Sequence, residues 1–170
     1  MPSDGGAATA SNCGAAAGSP RSSDALEEIL SHAVREYPFE CCGIVTSNGQ
    51  SHTVHECINI QNALHAEDPE RYPRDARTAY TIDRARADEI FTAAARGGRR
   101  ILAFYHSHPD HDAYFSDEDE AAQCVFGEPE FPQALHIVVS VRMGMINAIK
   151  CFRWDGKGGF VESDYAPPGL

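Results

Sequence analysis

The chain has 170 residues, of which 25 are acidic and 14 are basic, so its formal net charge at pH 7 is −11. This length suffices for one domain with a hydrophobic core and is short for two. Because a basic footprint for nucleic acid or anionic lipid is missing, we expect no nucleic-acid partner and no membrane partner.

The beginning of the chain, residues 1–22, is rich in Ala, Gly and Ser and contains almost no large apolar side chain. Such a segment buries too little surface to offset its ordering entropy, so we predict a disordered tail at 1–22 and one folded domain at 23–165. The sequence lacks the basic start and apolar region of a secretory signal, and it has no apolar run that could span a bilayer. We therefore expect a cytoplasmic protein.

A helix and a hairpin are predicted at the start of the domain. Leu26, Ile29, Leu30 and Ala33 recur at helical spacing, and Pro38 ends this pattern. The next run, CGIVTSNGQSHTVHECINI, has β-branched residues on both sides of a Ser-Asn-Gly turn. This arrangement predicts two strands joined by a turn.

The middle of the chain begins with a polar stretch at 61–79, which contains two prolines and no apolar period and therefore predicts a long loop. A short strand at 80–82 and a second helix follow, with Asp83 as the cap of the helix and Gly97 and Gly98 as its end. A buried strand is predicted for RILAFYH, a third helix for SDEDEAAQCVFG, and closing strands for ALHIVVSV, MINAIKCFRW and GFVES.

The predicted order of elements is α, β, β, β, α, β, α, β, β, β. Runs of strands with helices between them are typical of an α+β fold, here an α/β sandwich in which helices flank a mixed sheet. The sequence shows no period that would indicate repeats.

Six cysteines are scattered through the chain without a Cys-x-x-Cys pair. A cytoplasmic domain of this size does not need disulfides, so we predict reduced and mostly buried thiols. Cys41 and Cys42 follow Glu40 directly, which raises the alternative of a thiol nucleophile. No activating environment can be read around them, so we favour buried packing.

The densest polar segment, YHSHPDHDAYFSDEDE, occupies residues 105–120. His106 and His108 are two residues apart at the end of a predicted strand, so both imidazoles face the same side and are close enough to share one ion. Asp119, in the first turn of the next helix, could return to this site as a third ligand and leave a zinc ion with one open position. An open position is typical of a catalytic metal.

Two other interpretations of this segment stay open. A histidine pair is also typical of a polar loop, and Ser116 with Asp119 fits a capping box, which is compatible with metal ligation because capping would hold Asp119 rigidly. The run from His106 to His111 also matches H-x-H-x-D-H of the metallo-β-lactamase-like hydrolases. That family calls for a larger domain with further ligands downstream, whereas the later His136 lies in an apolar strand as a structural residue.

The longer pattern H-S-H-P, six residues, S, two residues, D, together with Glu40 in YPFECCGIV, resembles the signature of the JAMM (MPN-plus) zinc isopeptidases. The resemblance covers residues 24–162 and implies the JAMM/MPN fold, which is cytidine-deaminase-like. It implies one Zn²⁺ per chain, with His106, His108 and Asp119 as the metal ligands. It also implies that Glu40 acts as the catalytic base through the bound water and that Ser116 hydrogen-bonds the oxyanion.

The remaining polar residues of the region have no role in that resemblance. Outside the pattern, Glu40 would be an ordinary exposed acid after a helix, and His111 is predicted as a loop histidine. We expect solvation for the others, namely Ser107, Asp110, Asp112, Asp117 and Glu118.

The resemblance also indicates the substrate class, since JAMM enzymes cleave bonds formed by the C-terminal Gly-Gly of ubiquitin-like proteins. The compact plan is most similar to bacterial stand-alone members, several of which act with ThiS- or MoaD-like sulfur carriers. It implies a partner that is a ubiquitin-like sulfur-carrier protein or its C-terminal adduct, in cysteine or other sulfur metabolism. The alternative is a non-catalytic MPN-type binding scaffold with a structural zinc. The sequence leaves open whether the chain forms a homodimer.

Overall fold

The computed structural model describes residues 22–125 and 127–164. The tail predicted at 1–22 lies, except for Ser22, outside the described residues, and the domain boundaries at 23 and 165 stay a prediction. The elements in chain order are α1 (Ser22–Glu36), β1 (Cys42–Ser47), β2 (His52–Cys57), α2 (Gln61–Glu67), α3 (Arg84–Arg96), β3 (Arg100–Pro109), α4 (Asp117–Gln123), β4 (Cys124–Val125), β5 (Glu128–Pro129), β6 (Leu135–Arg142), β7 (Met145–Trp154) and β8 (Phe160–Glu162). Of the helices in this part of the chain, none combines the length and hydropathy needed to cross a bilayer.

The main sheet has six strands in the order β2-β1-β3-β6-β7-β8. β3 and β6 are parallel, and the other neighbouring pairs are antiparallel. Parallel neighbours need a long crossover, which here contains α4 and the small hairpin β4-β5. The prediction of an α+β fold with a mixed sheet flanked by helices is confirmed.

The two faces of the sheet carry separate hydrophobic cores. Ile29 and Ala33 of α1 pack on one face against strand residues that include Tyr105 and Val139. Ala87 and Ile90 of α3 belong to the cluster on the opposite face, with Cys42, Ile44 and Phe104. Since side chains alternate along a strand, β3 contributes Tyr105 to the α1 side and its neighbours Phe104 and His106 to the α3 side.

Several local predictions are confirmed. Gly49 has φ +87° in the turn between β1 and β2, as the Ser-Asn-Gly signal requires. The Asp83 side chain accepts a hydrogen bond from the backbone N–H of Arg86 at 3.2 Å and caps α3. Gly98, just after α3, has φ +65°.

Three predictions are wrong in part. The predicted loop at 61–79 begins with helix α2, and the predicted strand at 80–82 is reduced to one isolated bridge between Asn59 and Ile82. The third helix ends at Gln123 because the chain turns into β4 there instead of continuing.

The cause of the first two differences is a set of side-chain hydrogen bonds that sequence periodicity does not reveal. The Asn59 carboxamide oxygen accepts from the backbone N–H groups of Gln61 and Thr81. The Gln61 amide donates to the carbonyl oxygen of Arg74 at 2.8 Å. These contacts start α2 and hold the segment after it without the ladder of a regular strand.

Gly43 illustrates how tightly the α1 face is packed. A Cβ atom at this position would overlap the ring of Tyr105, the residue paired with it across β1 and β3. The ring cannot move aside easily because Tyr105 is 1% exposed and its hydroxyl is 2.8 Å from Nδ1 of His32. Glycine is therefore required here for space.

We predict that Gly43→Ala lowers the free energy of unfolding by about 1 to 3 kcal/mol, the usual cost of overpacking a core. Gly159→Ala is the control, because its nearest atom to an added Cβ is the end of the Glu120 side chain at 4.0 Å. Chemical denaturation of both variants measures the difference. Equal stability of the two variants would contradict the packing argument.

Candidate active site

Three buried side chains meet where β3 ends and α4 begins. His106, His108 and Asp119 each present one ligand atom, and these atoms all lie within 4.8 Å of one another. The two Nε2 atoms are 3.1 Å apart, and the Asp119 carboxylate oxygens lie 3.4 Å from His106 Nε2 and 3.9 Å from His108 Nε2. The structure thus brings together the three residues that the sequence singled out as metal ligands.

The spacing of these atoms fits a single small cation. Tetrahedral zinc with bonds near 2.0–2.1 Å separates its ligand atoms by roughly 3.3 Å. The chemistry of the donors agrees, since His108 donates from Nδ1 to the carbonyl oxygen of Asp112 at 2.9 Å, which leaves Nε2 with a free lone pair. Burial, with the nearby His106, lowers the pKa of His108 to about 4, so the imidazole is neutral at pH 7.

Asp119 is fixed by the capping box of α4. The backbone N–H and the hydroxyl of Ser116 donate to Asp119 Oδ2 at 2.9 and 2.6 Å, and the backbone N–H of Asp119 donates to the Ser116 oxygen. Burial alone would raise the pKa of Asp119, but the hydrogen bonds from His106 and Ser116 outweigh it and hold that pKa below its usual range. The carboxylate is therefore ionised.

The same contact bears on Ser116. A hydroxyl has one proton to donate, and here that proton is directed at Asp119. The hydroxyl lines the same pocket as His108 and Asp119. To donate to an oxyanion, the Ser116 hydroxyl must give up its hydrogen bond to the Asp119 carboxylate. Its oxygen can still accept from the backbone N–H of Asp119 and cap the helix.

Glu40 reaches the site through the pairing of β1 with β3. Cys42 is opposite His106 in the antiparallel register, and the same register continued by two residues past the start of β1 would put Glu40 opposite His108. Ser107 fixes this end of the pair twice, because its backbone N–H donates to the Cys41 carbonyl at 3.1 Å and its hydroxyl accepts from the Cys41 N–H at 2.8 Å. The expectation that Ser107 is solvated is wrong, since its exposure is 0%.

The environment of Glu40 is unusual for a carboxylic acid. Glu40 is 6% exposed, unlike an ordinary acid after a helix, and it lines the same pocket as His108, Ser116 and Asp119. Burial, followed by repulsion from Asp119, raises the pKa of Glu40 to about 9 in the protein without a metal. A divalent cation beside Asp119 would favour the ionised form and lower this pKa.

Aromatic rings support the two histidines in a way that sequence reasoning missed. The ring of Tyr80 stacks on His106 with centroids 4.5 Å apart and planes 22° apart, and Tyr114 packs against His108 at 4.7 Å. Tyr80 comes from the segment between α2 and α3, so only the tertiary structure brings it to β3. The one signal for such ring contacts in the sequence was an aromatic residue close to the histidines, as at Tyr114.

The other candidates do not belong to the group of three candidate ligands. His136, on β6, packs between the rings of Phe104 and Phe160. Burial lowers the pKa of His136 to about 3, in agreement with a structural residue. His111 lines the pocket but is exposed and is not part of the metal-ligand group found among the described residues. Asp110 and Asp112 are exposed but not merely solvated, since their carboxylates accept from Tyr37 and Arg142, respectively.

The cysteines next to Glu40 are unsuited to nucleophilic chemistry. Cys41 is 1% exposed and Cys42 is fully buried, and burial raises the pKa of the Cys41 thiol to about 12. The described cysteines are all free thiols, and Cys57 is buried as well. Buried packing of reduced thiols, as predicted, describes this part of the molecule.

Comparison with known proteins identifies similar chains. Residues 22–154 match a family described as prokaryotic homologs of the JAB domain. A protein named Desampylase from Haloferax volcanii is 32% identical over 100 residues, which are 56% of this chain and 66% of that protein. Tail tip assembly protein K of Escherichia phage N15 is 32% identical over 102 residues, 58% of this chain and 33% of that protein. The chain thus spans just under two thirds of the first relative and one third of the second.

A solved structure shares the fold. The solution structure of a protein from Desulfitobacterium hafniense superposes with a TM-score of 0.58 at 19% identity, over 82% of this chain and 85% of that chain. At this identity the likeness concerns the architecture alone.

We predict that Glu40→Gln stabilises the metal-free protein increasingly as pH rises. The folded pKa of Glu40, about 9, lies above the usual value near 4.5, so wild-type stability is fully present below pH 4.5 and falls as pH rises towards 9. The free energy of unfolding of the wild type falls with a limiting slope of about 1.4 kcal/mol per pH unit. The glutamine variant does not ionise, so its stability does not fall in this way. Urea denaturation between pH 5 and 8, with chelator present, measures the difference. Glu70→Gln changes an exposed side chain and should show the same pH dependence of stability as wild type. If the free energies of unfolding of Glu40→Gln and wild type change with pH in parallel, the burial argument is contradicted.

Proposed function

The chain belongs to the family of prokaryotic homologs of the JAB domain, and from this premise we propose that it is a zinc-dependent peptidase or isopeptidase. Its substrate in this proposal is a ubiquitin-like protein, cleaved after the C-terminal Gly-Gly. The observation that carries the proposal is the convergence of His106, His108 and Asp119 on one point, with Glu40 in the same pocket.

Zinc suits the ligand set. Two imidazoles and one carboxylate are typical zinc ligands, and a site with three protein ligands keeps a position free for water or substrate. When bound, zinc supplies Lewis-acid polarisation of a carbonyl group and acidifies bound water. The hydrogen bond from His108 to Asp112 and the capping box around Asp119 hold two of the ligands in place.

Glu40 is the proposed general base and acid. It takes a proton from the attacking water and delivers a proton to the departing amine, a role that requires a carboxylate whose pKa lies above that of an exposed glutamate. Its buried position provides such a pKa. The positive charge of a bound cation lowers this pKa from about 9 towards neutral pH. Ser116 is the proposed donor to the oxyanion, at the start of α4 beside Asp119.

The substrate class rests on the relatives and on the shape of the site. The similarity to a protein named Desampylase supports isopeptidase-like hydrolysis of ubiquitin-like protein conjugates. A pocket of about 850 Å³ is lined by two of the three candidate ligands, His108 and Asp119, and its wall includes Tyr72, Tyr80 and Tyr114. A Gly-Gly tail has no bulky side chains and can enter such a pocket in extended form. We propose a ThiS- or MoaD-like sulfur carrier in the cytoplasm as the partner.

The first prediction of this proposal concerns the metal. Wild-type protein, reconstituted and freed of excess ion, should contain one zinc per chain by elemental mass spectrometry, and His108→Gln or Asp119→Asn should lower this content below 0.1 equivalent because a ligand is lost. His111→Gln is the matched control and should retain one equivalent. A second zinc that disappears in His111→Gln would instead favour a dinuclear metallo-β-lactamase-like site. Circular dichroism checks that the variants fold.

The second prediction concerns hydrolysis. Zinc-loaded wild type should cleave a conjugate of a sulfur-carrier protein after its terminal glycine, as seen by intact mass. Glu40→Gln should reduce kcat by about 10²- to 10⁴-fold, the usual contribution of a general base, while zinc content stays at one equivalent. Glu70→Gln, an exposed exchange of the same kind, should retain the wild-type rate.

The outcomes separate the two classes of function. Loss of activity in Glu40→Gln with zinc retained is the expected result. Inactive wild type that binds both zinc and the carrier, with binding unchanged by Glu40→Gln, would overturn the enzyme assignment in favour of a non-catalytic scaffold.

A further inference from the structure

The walls of the active-site pocket carry an uneven distribution of charge. Its lining contains four acidic side chains, Glu40, Asp117, Glu118 and Asp119. The permanent cations in the same lining are Arg71 and Arg74, both from the segment after α2. In a chain with a net charge of −11, these two arginines are the side chains of the lining best suited to meet an anionic group on a substrate.

Arg74 is the better placed of the two. Its guanidinium forms an ion pair with Glu118, which lies across the pocket on α4, and Nη1 donates to the carbonyl oxygen of Thr78 at 3.4 Å. The Arg71 guanidinium instead lies over the ring of Tyr72, 5.3 Å from its centroid. Arg74 is therefore the cation of the lining whose guanidinium contacts a side chain of α4.

The ion pair between Arg74 and Glu118 is easily exchanged. The two side chains are 43% and 64% exposed, and ion pairs in such surroundings contribute little to stability because water and salt screen them. When the pair opens, Glu118 is left in solvent, so no buried charge loses its partner. A planar carboxylate on a substrate can then take the place of Glu118, because the guanidinium binds carboxylates through two parallel hydrogen bonds.

The position of Arg74 relative to Glu40 indicates which substrate group it meets. Arg74 and Glu40 line the same pocket. In the proposed reaction Glu40 protonates the departing nitrogen, so the atoms bonded to this nitrogen occupy the pocket that Arg74 also lines. In an α-amino acid the carboxyl carbon is only about 2.5 Å from the nitrogen, across two covalent bonds.

We propose that Arg74 binds the free α-carboxylate of the departing residue and exchanges Glu118 for it when the substrate enters. This inference rests on the proposed function and narrows its substrate class to carriers that end in Gly-Gly followed by one amino acid with a free carboxylate. In a lysine isopeptide the departing nitrogen is separated from the α-carbon by four methylene groups, so no carboxylate accompanies it.

The reaction balances without a further reactant. The bond between the glycyl carbonyl carbon and the departing nitrogen breaks, and the water oxygen bonds to that carbon. Both water protons end on the departing nitrogen. The products are the carrier with a C-terminal glycine carboxylate and a free amino acid with an ammonium group and its original carboxylate, still opposite Arg74.

The test compares two conjugates of one sulfur-carrier protein. Both end in Gly-Gly-Cys, one as the free acid and one as the C-terminal amide, and kcat/KM is measured for each by intact mass. Wild type should prefer the acid by about 10- to 100-fold, the usual worth of a hydrogen bond to a charged group. Arg74→Gln should reduce this preference to near one, mainly through KM of the acid.

Two further variants make the result specific. Glu118→Gln removes the competing carboxylate, so it should lower KM of the acid and increase the preference. Arg77→Gln, on the same segment but outside the pocket, where its guanidinium lies over the ring of Phe39, should keep the wild-type preference.

Each adverse result has a distinct meaning. Equal hydrolysis of acid and amide by wild type would overturn this inference and leave the proposed function standing. An equal loss on both conjugates in Arg74→Gln would also overturn it, because the arginine would then only hold the segment in place. Hydrolysis of neither conjugate by wild type would overturn the proposed function and the inference together.

Discussion

The antiparallel pairing of β1 with β3 is the constraint on which the site depends. Its register places Cys42 opposite His106, and the same register continued past the start of β1 would put Glu40 opposite His108. Because opposed residues of an antiparallel pair face the same side, Glu40 and the two histidines share one face of the sheet. A shift of one residue would move the histidines to the α1 face, where Tyr105 and Ser107 now lie.

The surroundings keep that register fixed. Gly43 leaves room for the ring of Tyr105, and Ser107 bonds both the N–H and the carbonyl group of Cys41. These are contacts on the α1 side of the sheet, opposite the three candidate ligands. One face of β3 thus serves packing and register, and the other carries the two candidate histidine ligands, which is the separation that period-two alternation permits.

Burial gives the polar cluster its properties. A carboxylate and two imidazoles that are each less than 10% exposed lose most of their hydration, and their contacts with one another must compensate. The capping box supplies this compensation for Asp119, and the carbonyl oxygen of Asp112 does so for His108. For Glu40 burial dominates, and together with repulsion from Asp119 it raises the pKa of that carboxyl group. Such a site favours a cation, because positive charge relieves the repulsion between Glu40 and Asp119.

The sequence by itself determined which three side chains are candidate metal ligands, and it determined the helix cap, the hairpin and the fold class. Each of these depends on short spacings, such as the two-residue step between His106 and His108 or the three-residue step from Ser116 to Asp119, and local backbone geometry converts such spacings directly into positions. The tertiary structure alone decided the burial of Ser107, the stacking of Tyr80 on His106, helix α2 and the ion pair of Arg74 with Glu118. These features join residues separated by long stretches of chain, and their hydrogen bonds and charges leave no period in the sequence, so only the folded chain shows which groups meet.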